Sequence, residues 1–387
     1  MSPSRPSLVH LFANFLRLGT TAFGGPSMVA YIRKLAVERK GWLAAGEFSE
    51  GVAFCQMIPG ATAMQTAAYV GLRLRGVAGA AVCFIGFALP AFCLMLVFAA
   101  VYAQTGSLPL VAAAFSGLQA VIVAVVANAA WSFGKTTLKI WQHVLIAGAA
   151  AALFWWNINP LVVIVMASAA GWLLLPPPDA AELRAARSSP TPFYKNTLIA
   201  ILAVAGVVLV GLYFLSGDLF RLGLLMIRVD LMAFGGGFAS LPLLYHEVVQ
   251  ANGWMTGPTF MNGIVFGQVT PGPIVITATF IGYLLHGVLG ALIATVCIFL
   301  PSFLLVVGLA PSFSRLAASP SFQKIIRGVL CSFVGLLISV TLRFAFQVQW
   351  DVIHVLLAVG ALVALLRKVD ILWVVLAGAA LSIALIR

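Results

Sequence analysis

The sequence predicts an all-α polytopic membrane protein. It reads as an inverted internal repeat with broken or re-entrant helices, making roughly nine to thirteen crossings. Three observations predict this. The chain of 387 residues is 62% hydrophobic and only 8% charged, whereas soluble domains are about one quarter charged. Apolar runs long enough to span a bilayer recur along its whole length. Two stretches, 23–60 and 234–272, carry Gly and Pro breakers in apolar surroundings. Non-helical backbone is tolerated there only against protein or a cavity.

The composition also excludes function classes. A net charge of +12 would suggest nucleic acid in a soluble protein, but most Lys and Arg fall in short connections between apolar runs, which is a topogenic pattern. No nucleic-acid partner is expected, and the lipid bilayer is the main one. The N-terminus is short and polar and no small-residue cleavage site follows it, so a removed signal peptide is not expected. Cys55, Cys83, Cys93, Cys297 and Cys331 lie in apolar segments without ligand spacing and read as small core residues. With no metal-ligand cluster, nucleophile–base pair or cofactor motif, neither an enzyme nor a cofactor is expected.

The elements follow in order. The first apolar segment, 8–32, is broken at Gly24-Gly25-Pro26 and followed by a basic connection with Arg33, Lys34, Arg39 and Lys40. Residues 47–72 form a second segment, broken at Pro59-Gly60. Cleaner spans come at 76–104, 109–133, 138–156 and 159–175. Pro176-Pro177-Pro178 opens the one linker-like stretch, and a clean span at 196–216 follows it. The pattern then restarts. Residues 219–242 break at Gly235-Gly236-Gly237, residues 258–285 break at Pro271-Gly272-Pro273, and spans follow at 287–310, 322–346, 351–366 and 370–386.

The repeat holds residue by residue. Arg17 matches Arg228, Phe23-Gly24-Gly25 matches Phe234-Gly235-Gly236, and Gly41-Trp42 matches Gly253-Trp254. Gln56, Pro59 and Gly60 match Gln268, Pro271 and Gly272. After a one-residue gap, Gly71, Gly76, Gly79 and Pro90 match Gly282, Gly287, Gly290 and Pro301. Scattered Gly matches could come from composition, but Gln-x-x-Pro-Gly and Gly-Trp in register could not. Three parts result: a first half at 1–178, a linker plus connecting span at 179–217, and a second half at 218–387.

Charge sets the orientation. With a cytoplasmic N-terminus, Arg73, Arg75, Lys135, Lys139, Arg327, Arg367 and Lys368 all fall inside, and the C-terminus lies outside. The basic connection at 33–40 has a nearly neutral counterpart, so the two copies face opposite sides. The extra span at 196–216 supplies the odd crossing that inverts the second half.

At these residues the chain resembles the chromate transporter (ChrA, CHR) family in its long-chain, two-domain form. Arg17-Leu18-Gly19 with Ala22-Phe23-Gly24-Gly25-Pro26 carries the resemblance. So do Glu50-Gly51 leading to Gln56-Met57-Ile58-Pro59-Gly60, and Tyr69-Val70-Gly71 with Arg73-Leu74-Arg75-Gly76. The resemblance implies export of chromate across the bacterial inner membrane, driven by the membrane potential or a proton gradient, and hence chromate resistance. Sulfate, isosteric with chromate, is the expected competitor. The second half departs from the pattern, with Gly237 in place of Pro26 and Asn262 in place of Glu50.

A tetrahedral dianion needs several donors and partial positive charge, which half-helix N-termini supply. The expected substrate contacts are therefore Phe23, Gly24, Gly25, Pro26, Gln56, Pro59, Gly60 and Thr62 in the first copy. In the second they are Phe234, Gly235, Gly236, Gln268, Thr270, Pro271 and Gly272. Arg17 and Arg228 join them, because an intramembrane Arg costs ~3 kcal/mol and faces a partner or a wet cavity. A structural ion pair is the plain alternative, with Asp230 neutralising Arg228. Glu50 and Asp230 are the candidate coupling carboxylates. Two rival functions stand beside chromate export: transport of sulfate or another oxyanion, and a lipid-phosphate flippase. A homodimer is compatible with this design.

Overall fold

The computed structural model describes residues 6–23, 27–106, 108–177, 194–311, 313 and 318–386. Among them there are fifteen α-helices and no strand. Five helices are long and apolar enough to cross a membrane, and the protein is an all-α polytopic membrane protein.

The chain folds into two compact units, each containing segments of both sequence halves. The first comprises Met1–Leu96, Pro178–Ser240 and Pro271–Gln323. It begins with α1 (Leu8–Thr21), capped by the Ser7 hydroxyl on the His10 N–H, then α2 (Ser27–Arg33) and a π-helical turn, Lys34–Arg39. The basic connection of the sequence reading is thus mostly helical, and Gly41 ends it in the left-handed region (φ +58°). Then come α3 (Ala45–Met57) and α4 (Thr62–Thr105). At 13 and 14 residues, α3 and α1 reach only ~20 Å, short of a ~30 Å hydrocarbon core.

α4 is two helices joined at a sharp bend, with Gly76 at φ +63°. The half-helix 62–75 turns back against the span that follows, because Gly71 and Gly79 let the backbones touch. A Cβ on Gly71 would lie 2.1 Å from the Gly79 carbonyl oxygen. We predict that Gly71→Leu costs more than ~3 kcal/mol by overpacking and abolishes the monodisperse peak in size-exclusion chromatography. Gly148→Leu, at a position open to 4 Å, keeps that peak.

The remainder of this unit comprises α8 (Lys195–Leu215), α9 (Gly217–Met232), the start of α10 (Gly237–Tyr245) and α12 (Thr277–Leu309). α12 bends at Gly287 (φ +61°) and closes on itself through Gly282 and Gly290, as α4 does through Gly71 and Gly79. α9 buries Leu222, Met226, Val229 and Asp230. α8 buries no residue, which suits a connecting span surrounded by lipid.

The second unit comprises Val97–Pro177, Leu241–Thr270 and Lys324–Arg387. α5 (Pro109–Thr137) is its axis, buried almost without interruption from Gly117 to Val126. α6 (Trp141–Trp155) and α7 (Pro160–Leu174) form a hairpin through Asn157, and α14 (Val352–Leu366) and α15 (Ile371–Leu385) form its counterpart through Lys368. Both turn residues have positive φ, 58° and 64°. α11 (Gly257–Val269) and most of α13 (Pro320–Gln347) complete the unit.

Candidate functional site

Inside the first unit, backbone bonds exchanged between the two halves pair the described breaks crosswise. The Gly60 N–H donates to the Ala233 carbonyl at 2.9 Å, and its repeat counterpart, the Gly272 N–H, donates to the Ala22 carbonyl at 2.8 Å. Ala22 and Ala233 are themselves equivalent positions. Each carbonyl lies just past the end of a helix, where no intrahelical donor reaches it. Each glycine is left-handed, φ +113° and +109°, a conformation that turns its N–H out of the preceding helix. Thr62, the first residue of the half-helix 62–75, places Oγ1 3.1 Å from the point a Cβ on Gly236 would occupy.

These contacts set the break at Pro59-Gly60, with Thr62, against the break at Phe234-Gly235-Gly236, and the break at Pro271-Gly272 against Ala22 and its neighbour Phe23. Gly24, Gly25 and Pro26 lie outside the described residues. Phe23 and Phe234 are half-buried at their breaks, Arg228 is half-buried on α9, and Arg17 is exposed on α1.

The glutamines differ. Gln56 is exposed on α3. Gln268, in the second unit, is 8% exposed and its amide nitrogen has no hydrogen-bond partner. Thr270 uses its hydroxyl proton on the Phe266 carbonyl at 2.7 Å. The second copy therefore offers an amide donor at this position rather than a hydroxyl.

Asp230 corrects one expectation. It lies two residues from Arg228 but does not pair with it, because i and i+2 side chains leave a helix on different faces. Fully buried, its Oδ2 accepts from the Ser302 N–H and Oγ–H, each at 2.8 Å. The Ser302 hydroxyl in turn accepts from the Ala61 N–H at 3.1 Å. Its other oxygen, Oδ1, has no partner. Gln65 is also fully buried and donates to the Pro59 carbonyl at 2.5 Å. Sequence reasoning missed Ser302 and Gln65. The one available signal was a paired change between the copies: Gly19 and Ala91 stand where Asp230 and Ser302 do.

Glu50 is half-buried on α3. One turn earlier, Glu47 forms a two-pronged ion pair with Arg73, through Nε at 2.5 Å and through Nη2. In the second unit, the Glu50 counterpart Asn262 donates to Tyr102 Oη and accepts from Gln119, both at 3.0 Å. It lines a cavity of about 290 Å³ with Ser116, Gln119, Gln347 and Gln349.

The structure also brings together a nucleophile–base pair that the sequence reading did not find. Ser116 Oγ lies 3.0 Å from His354 Nε2, and His354 Nδ1 lies 2.8 Å from Asp351. Asp351 is the N-cap of α14 and accepts from the His354 N–H. Those bonds hold the exposed Asp351 carboxyl below the usual carboxylate range. Capping accounts for the geometry without catalysis. Among the described residues no group of three or more His, Cys, Asp and Glu could hold a metal.

A protein-family model described as Chromate transporter matches the chain twice, over residues 9–172 and 220–383. The chain is 38% identical over 375 residues to an uncharacterized transporter of Methanocaldococcus jannaschii, covering 96% of this chain and 93% of the relative. It is 30% identical to a chromate transport protein of Cupriavidus metallidurans, covering 93% and 88%. A probable chromate transport protein of Synechococcus elongatus is 29% identical, covering 92% and 90%. No solved structure matches the chain.

Proposed function

Because this chain belongs to the chromate transporter family, we propose that it exports chromate across the bacterial inner membrane and so confers resistance. The observation that carries this reading is the crosswise pairing of the breaks. Backbone bonds exchanged between the halves join Gly60 to Ala233 and Gly272 to Ala22, and a Cβ on Gly236 would meet Thr62. That leaves half-helix N-termini and the Thr62 hydroxyl available to a small dianion. Arg17 and Arg228 supply positive charge near the path. Glu50 and Asp230 are the coupling candidates. The two sequence halves, oppositely oriented with the N-terminus inside, alternate access to this site.

The binding elements are short-range and small, which favours an inorganic oxyanion over a lipid phosphate. Everted vesicles test the reading. They accumulate radiolabelled chromate when energised, and sulfate in tenfold excess reduces the initial rate at least twofold. Accumulation of sulfate but not chromate would overturn the substrate assignment.

A further inference from the structure

We propose that Asp230 carries the proton that drives transport, at a site built from Asp230, Ser302 and Gln65 around the Gly60 break. The inference rests on the carrier reading above and adds the side chains that hold the proton. The two donors to Asp230 are both on neutral Ser302, and both serve Oδ2. Oδ1 has none. Gln65 leaves its own Oε1 without a partner. Its amide cannot be turned round, because that would set oxygen against the Pro59 carbonyl. Both side chains converge on Gly60. A methyl placed there would lie 2.8 Å from Gln65 Nε2, 3.1 Å from Asp230 Oδ1 and 2.0 Å from Ser302 Oγ.

Two fully buried oxygens that can only accept thus lie at one helix break. A buried ionised carboxylate without a countercharge is strongly unfavourable, and so is a buried acceptor without a donor. A proton on Oδ1 cancels the charge and turns an acceptor into a donor. A hard divalent cation fits less well, since calcium or magnesium takes six or more oxygens at ~2.0–2.6 Å and the Gln65 nitrogen already faces this point. The segments that close over Asp230 turn Gly60, Ala61, Gln65 and Ser302 toward it, none of them charged. On its own helix, Arg228 lies on another face.

The site occurs once per chain. In the first copy Gly19 takes the place of Asp230 and packs on α4, where a Cβ would lie 2.5 Å from the Phe87 carbonyl oxygen. The proton is also linked to the substrate path. The Ala61 N–H donates to the Ser302 hydroxyl, which donates to Asp230. Protonating the carboxyl weakens that chain and releases an N–H at the start of the half-helix that faces the anion. Proton binding on one side and release on the other would then reset the break in each cycle.

Purified full-length protein in proteoliposomes tests this. Chromate counterflow is measured without a pH gradient, chromate accumulation with one, and proton movement by an entrapped dye. Wild-type protein is expected to accumulate chromate under a pH gradient and to move protons with it. Asp230→Asn keeps counterflow within about twofold and loses gradient-driven accumulation at least tenfold. Ser302→Ala keeps counterflow and shifts the pH profile of accumulation, and it decides the matter if Asp230→Asn does not fold. Accumulation by Asp230→Asn at the wild-type level would overturn the proposal, as would loss of its counterflow. So would a wild-type response to sodium instead of pH, or an unshifted profile in Ser302→Ala. Absence of counterflow in the wild type would sink the carrier reading itself.

Discussion

Replacing Gly60 by alanine is expected to abolish transport, by at least a hundredfold in initial rate, in a protein that still inserts in the membrane. Two effects combine. At φ +113° an L-residue is strained by ~1–3 kcal/mol. The new methyl would also stand 2.0 Å from Ser302 Oγ, so Ser302 must move. That breaks the bonds from the Ala61 N–H and to Asp230 together, and a buried group left unsatisfied costs ~1–3 kcal/mol. The counterpart, Gly272→Ala, has similar strain at φ +109° but meets only the Ala91 methyl, at 2.8 Å. It should lose less, about tenfold. Vesicle uptake normalised to inserted protein checks both. Equal losses at the two positions would mean that backbone strain alone matters and that the Ser302–Asp230 link is incidental.

The second large effect is expected at Arg228. Removing its charge with Arg228→Gln should weaken chromate binding at least tenfold, about 1.4 kcal/mol, as a raised half-saturation concentration in vesicle uptake. Arg17→Gln should cost no more than threefold, because Arg17 is exposed on α1 while Arg228 is half-buried on α9. Arg228→Lys should recover part of the loss, since it keeps the charge without the planar fork. An unchanged half-saturation concentration in Arg228→Gln would remove Arg228 from the substrate path.

Much of the fold was legible because its punctuation is chemical. Gly60 and Gly272 take positive φ, and both were visible as breakers in a repeated register; Gly76 and Gly287 take positive φ too but were visible only as matched positions at the starts of spans. The connecting span, α8, was equally plain from its uninterrupted apolar run. Internal matching pairs equivalent residues, however, and cannot show which ones touch. It aligned Gly60 with Gly272 and Ala22 with Ala233, whereas the bonds run crosswise, from Gly60 to Ala233 and from Gly272 to Ala22. The same limit hid Ser302, 72 residues from Asp230. Seen from the sequence, the nearest charge to Asp230 was Arg228. Helix geometry turns the two apart, and a serine beside the α12 proline takes the carboxylate instead. The basic stretch after α2 read as a loop because its charges are dense; the structure winds most of it into a π turn ended by Gly41.

The most direct test of the substrate site is the position of chromium in crystals of the protein grown with chromate, found from its anomalous scattering. Chromate held by the half-helix starts should give a peak within about 4 Å of Thr62 Oγ1, allowing one hydrogen bond and the chromium–oxygen bond. A peak lying instead in the Asn262 cavity, with none beside Thr62, would contradict the account.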